Sequence, residues 1–228
     1  MARRLKRGWV VLGAAVLGLA LWAGLPQALR HVGFFRVRRV EFAGLRYGDE
    51  RELTRALALA PGASVFDDLE PLVERILAVP GVAEAKVGRR IPGTIRVTLR
   101  EREPVALAPA RGRLGLMDSL GRTLPFDPAR AAPDLPVALR ADSVVGLGLA
   151  RLRELDPELF AQVSTAARSG DHLVVEMAGR RWRLPADVTA EVLRSVTAVA
   201  EELARQGRSY AELDGRFARQ VVVRGLAS

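Results

Sequence analysis

Few side chains in this chain of 228 residues are of types that catalyse reactions or bind metals. It contains no cysteine and only two histidines, His31 and His172. A disulfide scaffold, a cysteine nucleophile and a histidine cluster for zinc are therefore excluded. His172 follows Asp171 in a predicted turn, which favours a solvated side chain. Asp67 and Asp68 could form a carboxylate pair, but they precede an apolar helical pattern and so indicate helix capping.

Sequence motifs of catalytic sites are also absent. The chain has neither the G-x-x-x-x-G-K-[ST] loop that binds phosphates nor the H-E-x-x-H motif that binds zinc. We therefore expect no metal, no cofactor and no enzymatic activity. Binding is the class of function that remains.

The net charge of +9 raises the question of nucleic-acid binding. Five of these charges lie before Phe34, on a segment without acids. Further along the chain, basic residues at alternating strand positions are interleaved with Glu84, Glu101 and Glu103, which favours a solvated sheet face. No nucleic-acid partner is expected. The basic residues on this face are Arg89, Arg90, Arg96, Arg100 and Arg102.

Residues 8–29 contain no charged side chain. As a helix they would span about 33 Å, which matches a hydrocarbon core of about 30 Å. The pattern predicts a transmembrane helix after a cytoplasmic tail at residues 1–7. A distal region of about 200 residues is translocated largely regardless of charge, which favours an N-inside, type II orientation. The alternative is a cleaved signal peptide, but its small-x-small site would fall within the apolar run at residues 18–20.

Residues 35–104 show the pattern of a first soluble domain, in the order strand, helix, helix, strand, strand. The strand at 35–42 changes phase, which implies a bulge or a late start. Asp49 and Asp67 each precede a glutamate by three residues, the spacing of a capping box, and so begin two short helices. The clearest strand is 94–102, which points Ile95, Val97 and Leu99 inward.

Residues 105–228 show weaker patterns, which predict a β-rich domain with helices. The fold class is α+β. The predicted elements are a helix at 143–155, a hairpin that turns at Ala178-Gly179, an amphipathic helix at 188–206 and a closing strand at 217–225.

The order of the first domain resembles a POTRA domain. Three stretches are similar to the FtsQ/DivIB family of bacterial cell-division proteins, and ELDGRFARQVVVR (212–224) resembles the closing segment of that family by pattern. Ile91 stands where many members carry an aromatic residue, and we expect it to pack as an apolar side chain. The three stretches are VRRVEFAG (37–44), VPGVAEAKVGRRIPGTIRVTLREREPVA (79–106) and LMDSLGRTLPF (116–126).

The resemblance implies a single-pass protein of the cell inner membrane, with its C-terminal region in the periplasm and a position at the division septum. It implies a divisome scaffold that links early and late division proteins and controls septum assembly. In this family the C-terminal domain binds the small single-pass proteins FtsB and FtsL, and the septal wall synthase is a further candidate partner. The resemblance assigns partner binding to Phe217, Arg219, Val221, Val222 and Val223.

Two alternatives remain open at this point. The closing strand lies either at a sheet edge, where it can receive a strand of another chain, or inside the sheet, where it only completes the core. A POTRA domain also occurs in periplasmic chaperones and in secretion or transport components. That second function would predict tandem POTRA repeats, whereas the sequence shows one copy of the pattern.

Overall fold

The computed structural model describes residue 29 and residues 32–131, 134–217 and 220–225. The chain divides into two compact units, the first ending at Glu101 and the second beginning at Arg102. The predicted tail at 1–7 lies outside the described residues, as does the predicted transmembrane segment except for Leu29. Among the residues that are described, no helix is long and apolar enough to cross a membrane.

The first unit has the predicted order of elements and the predicted POTRA-type α+β fold. Its three strands form one sheet in the order β1-β3-β2, with β1 parallel and β2 antiparallel to β3. The elements are β1 (Arg39–Ala43), α1 (Glu50–Leu57), α2 (Glu70–Leu77), β2 (Val82–Arg90) and β3 (Thr94–Glu101).

The core of the first unit lies between the two helices and the sheet. The alternation of β3 is confirmed, since Ile95, Val97 and Leu99 are at most 5% exposed. They form one cluster with Leu57 of α1 and Ile76 of α2, among others. Burial of each such side chain stabilises the fold by about 1.5–3 kcal/mol before the entropy cost.

The observed starts of β1 and α2 can be compared with those predicted from the sequence. A 3-10 turn at Gly33–Phe35 precedes β1, so the strand starts late, as the change of phase allowed. The prediction that Asp67 caps α2 is wrong. The Asp67 carboxylate instead accepts the N–H of Ser64 and so closes the preceding turn, while Asp68 accepts the N–H of Glu70.

The second unit is β-rich with helices, as predicted. The strands formed by its described residues make one nine-stranded sheet in the order β12-β11-β10-β9-β8-β7-β4-β5-β6. The elements are β4 (Pro104–Ala110), β5 (Arg113–Asp118), β6 (Thr123–Leu124), α3 (Pro128–Ala131), β7 (Val137–Ala138), α4 (Ser143–Leu155), α5 (Pro157–Ala161), β8 (Thr165–Ser169), β9 (His172–Met177), β10 (Arg180–Pro185), α6 (Ala190–Arg205), β11 (Glu212–Phe217) and β12 (Gln220–Arg224).

The two long helices of this unit, α4 and α6, pack on the same face of the sheet. Gly148 of α4 lies so close to β9 that a Cβ on it would come within 2.8 Å of the Leu173 side chain. Likewise, a Cβ on Gly215 of β11 would come within 2.4 Å of the Val196 side chain of α6. Leu173 and Leu213 lie on one face because both are in register with inward residues of β10. The helices therefore cover this face of the sheet.

Three predictions for the second unit can be compared with the structure. The helix at 143–155 and the hairpin that turns at Ala178-Gly179 are confirmed. The helix predicted at 188–206 runs from Ala190 to Arg205 after a Thr189 cap. The prediction of a single strand over 217–225 is wrong, because Phe217 ends β11 and pairs with Gln220 at the start of β12.

Candidate partner-binding site

The closing strand β12 lies at one end of the nine-stranded sheet. It pairs antiparallel with β11, with Leu213 opposite Val223 and Asp214 opposite Val222. No other strand among the described residues pairs with it. Alternate residues of an antiparallel strand direct their N–H and C=O groups away from the partner. Of the two alternatives left open, the described residues show a sheet edge, which can accept another strand.

The predicted site residues lie on or beside this edge. Val221, Val222 and Val223 are half-buried. Val221 and Val223 pack against the core, whereas Val222 belongs to the opposite face, across from Asp214. Phe217 ends β11 with 48% of its surface exposed. Arg219 lies outside the described residues.

A groove of about 410 Å³ lies beside the edge, between the start of α6 and the β11–β12 hairpin. Phe217 and Val221 both line it, so the fold brings two of the predicted residues to one surface. Sequence reasoning missed the contribution of α6, because Val192 gives the same signal as any core position of an amphipathic helix. The remaining lining residues are Glu191, Val192, Ser195, Gly215, Arg216 and Gln220.

The sheet face opposite the helices carries two buried carboxylates beside this edge. Glu212 and Asp214 of β11 are 4% and 0% exposed. Glu212 pairs with Arg183 at 3.0 Å and with Arg224 of β12 at 3.3 Å. Arg224 also lies 3.7 Å from Asp214. These ion pairs tie the edge strand to its neighbour and fix its register.

Asp214 has its main partner on its own strand. Arg216 donates two hydrogen bonds to its carboxylate, at 2.7 and 2.6 Å. The hydrogen bond from Arg216 lowers the pKa of Asp214 below its ordinary value, against the opposing effect of desolvation. The same contact raises the pKa of Arg216. Asp214 is therefore ionised at neutral pH, and its charge is balanced within the sheet.

The histidine singled out in the sequence and the question of a metal site can also be compared with the structure. The expectation of a solvated turn residue is wrong for His172, because it begins β9 and its side chain is only 24% exposed, 2.7 Å from the 87% exposed Asp171. Within the part of the chain that is described, no group of three or more histidine, aspartate or glutamate side chains could hold a metal ion.

Several arginines of the basic face have partners inside the first unit. Arg90 and Arg96 pair with Glu41, and Arg100 pairs with Glu84. Arg89 donates to the carbonyl oxygens of Val65 and Asp67, and Arg102, at the start of the second unit, lies 3.8 Å from Asp118. The carboxylates of Glu41, Glu84 and Asp118 thus balance part of the positive charge at these positions, whereas the carbonyl partners of Arg89 leave its charge in place.

A comparison with family models agrees with the fold of the first unit. Residues 35–102 match the family model described as "POTRA domain, FtsQ-type". A solved structure, the major extracytoplasmic domain of the cell division protein DivIB from Geobacillus stearothermophilus, is 21% identical, with a TM-score of 0.33 over 46% of this chain and 96% of that chain.

Relatives named "Cell division protein FtsQ" match over longer stretches. The protein from Rhodothermus marinus is 32% identical over 97% of this chain and 87% of its own length. The protein from Myxococcus fulvus is 30% identical over 97% and 78%. The protein from Zymomonas mobilis is 31% identical over 81% of this chain and 58% of its own length. Because the matches extend across both structural units, this chain belongs to the FtsQ/DivIB family of bacterial cell division proteins.

Proposed function

We propose that this protein is a non-enzymatic scaffold of the divisome, which links early and late division proteins and controls septum assembly. Residues 8–29 anchor it in the cell inner membrane, and the two folded units lie in the periplasm. The names of its relatives support the division role. The observation that carries the binding function is the position of β12 at the edge of the sheet.

The binding mode that fits this edge is addition of a strand. An extended segment of an FtsB/FtsL-like partner pairs with the outward N–H and C=O groups of β12, each bond contributing about 0.5–1.5 kcal/mol net. Side chains of the same segment that point toward α6 enter the groove lined by Phe217 and Val221. Main-chain pairing supplies affinity, and the groove, which is lined by both apolar and polar side chains, supplies selectivity among the side chains of the partner.

The test replaces one residue of the edge. Val222→Pro removes an N–H group and disturbs the strand, whereas Val222→Thr keeps both the branched shape and the N–H group. With full-length protein in the native host, we expect Val222→Pro to abolish recovery of FtsB/FtsL-like partners and Val222→Thr to retain it. Thermal unfolding of each variant shows whether the fold is kept. Normal partner recovery by a stably folded Val222→Pro protein would contradict the edge-binding mode.

A further inference from the structure

The end of the first unit where β1 begins carries exposed apolar and basic side chains. Since β1 runs parallel to β3, the segment that enters β1 lies at the same end of the sheet as the turn from β2 to β3. The N–H of Arg38 donates to the carbonyl oxygen of Gly93 in that turn at 2.8 Å. A Cβ on Gly93 would come within 2.7 Å of the carbonyl oxygen of Arg36. The entering segment and the turn thus form one continuous surface.

Two large apolar side chains project from this surface. Phe34 is 60% exposed and Ile91 is 61% exposed, so the expectation that Ile91 packs is wrong. Arg38 holds Phe34 in place, because it donates to the Phe34 carbonyl oxygen at 2.7 Å and its guanidinium carbon lies 5.8 Å from the centre of the ring. Val32, which is 44% exposed, precedes them in the chain.

Arginines surround these apolar side chains, and we call Arg36, Arg38, Arg39, Arg89 and Arg90 the basic rim. Arg36 and Arg39 are exposed, and their side chains form no hydrogen bond or ion pair with the residues described here. Two acids lie close by. Glu41 pairs with Arg90 at 3.4 Å, and the backbone carbonyl oxygen of Asp67 accepts a hydrogen bond from Arg89. The rim therefore retains a positive charge beside an apolar centre.

The position in the chain shows what this surface faces. The uncharged segment ends at Leu29, and Phe34 follows within a reach of at most about 18 Å. Aromatic and arginine side chains are the types that lie at the boundary between headgroups and acyl chains. Resting on the membrane anchoring proposed above, we infer that Phe34, Ile91 and the basic rim dock the first unit onto the anionic surface of the membrane. The arginines bind lipid phosphates while the two apolar side chains enter the interface.

The absence of cysteine permits a direct test in the full-length chain. Ile91→Cys is labelled with an environment-sensitive nitrobenzoxadiazole dye and reconstituted in vesicles of phosphatidylethanolamine and phosphatidylglycerol. The matched control is Leu77→Cys, an apolar position that is 45% exposed and precedes the start of β2, at the other end of the sheet. It also shows whether the dye inserts by itself.

We expect the dye at residue 91 to shift its emission to the blue and to be quenched by lipids with a headgroup nitroxide, and the dye at residue 77 to show neither effect. Equal emission and equal quenching at the two positions, in protein that floats with the vesicles and resists alkaline extraction, would overturn the docking alone. Protein that fails to float would overturn the anchoring and the docking together.

The contribution of the basic rim is tested separately. Arg36→Glu with Arg39→Glu reverses two charges of the rim, and Arg194→Glu with Arg208→Glu makes the same change in net charge at exposed sites of the second unit. We expect the first pair to cut quenching at residue 91 several-fold, as would vesicles of phosphatidylcholine alone, and the second pair to leave it unchanged. Quenching that is insensitive to both charge and lipid would overturn recognition of anionic lipid.

Discussion

At the scale of single residues, each unit has a buried carboxylate that stabilises a loop by accepting hydrogen bonds from its backbone. Glu101 is 6% exposed, and its carboxylate accepts the N–H groups of Arg46, Tyr47 and Gly48, the loop between β1 and α1. Asp118 in the second unit accepts the N–H groups of Leu120 and Arg122. Both acids lie in stretches that resemble the family. In these stretches the two carboxylates therefore fix the conformation of loops.

Asp214 gives a prediction at the same scale. Its pKa is lowered, so the stability that it contributes is present above the unfolded value of about 3.9 and is lost as the pH falls through the lower folded value. Because Asp214→Asn removes a charged acceptor from Arg216 and Arg224, whose side chains are 22% and 53% exposed, we expect a loss of about 1.5–3 kcal/mol at pH 7. The free energy of unfolding in urea, measured between pH 7 and pH 2, should show the difference from wild type shrinking in acid.

The control for this prediction is Asp187→Asn, since Asp187 is exposed. We expect it to change the free energy of unfolding by less than about 0.5 kcal/mol at any pH. A cost of Asp214→Asn that stays constant down to pH 2 would show that the ionised carboxylate is not the source of its stability.

At the scale of elements, predictability from the sequence followed the strength of the pattern. Strand β3 alternates over its full length and could be assigned with its inward face. Helix α4 is an exception, because it was predicted with the bounds that the structure gives it from apolar residues of mixed period. In contrast, β4 reads PVALAPA, whose small residues lack a strong β preference. Strands β6 and β7 are two residues long, too short for any periodicity. Their places are set by pairing, of β6 with the preceding strand β5 and of β7 with β4 and β8.

The candidate site was predictable only in part for a similar reason. Three valines in a row indicate a strand, but its place at the edge of the sheet depends on the pairing of the whole domain. Phe217 pairs with Gln220 and so belongs to β11, an assignment that depends on strand pairing and not on the local sequence of residues 217–225. The ion pairs of Glu212 also involve Arg183 on β10, a contact that no local pattern can reveal.

The packing of α6 on β11 leads to a prediction for these elements. A Cβ on Gly215 would lie 2.4 Å from Val196, so Gly215→Ala should push the helix away from the strand. We expect a loss of about 1–3 kcal/mol in the free energy of unfolding, together with weaker recovery of the partner because the groove is widened. Adding Val196→Ala makes room for the new methyl group. The double variant should therefore be more stable than the sum of the two single losses predicts.

Urea unfolding of the wild type, the two single variants and the double variant completes the cycle. Gly148→Ala, at the equivalent contact of α4 with Leu173, is the matched control, because it should destabilise the domain without coupling to Val196. Additive losses for Gly215→Ala and Val196→Ala would show that the contact between α6 and β11 tolerates the extra atom.

At the scale of the whole molecule, the two units offer different surfaces. The first presents apolar and basic side chains at the end where its sheet begins, and the second presents β12, which pairs with β11 alone among the described strands. Neither surface needs a catalytic group. On the anchoring and partner binding proposed above, a strand edge held at the membrane raises the local concentration of its partners, which is how a scaffold assembles proteins of modest affinity.

Separate roles for the two units predict separate failures in dividing cells. A fluorescent protein fused at Met1 should form a band at midcell in the native host. We expect Val222→Pro to keep this band while the FtsB/FtsL-like partners fail to reach it, since the first unit remains folded. Ile76→Asp places a charge at a position with 0% exposure and should abolish the band by unfolding the first unit, whereas Leu77→Asp, at an exposed position, should preserve it.

The pattern of these variants distinguishes recruitment by the first unit from recruitment by the partners. If Val222→Pro disperses the band as completely as Ile76→Asp does, the partners bring the protein to the septum and the proposed order of assembly is reversed. If the wild-type fusion is spread evenly over the envelope of cells that are visibly constricting, the division role is wrong. A periplasmic chaperone or transport function then becomes the better explanation of a POTRA domain joined to an open strand edge, because such a function requires no position at the septum.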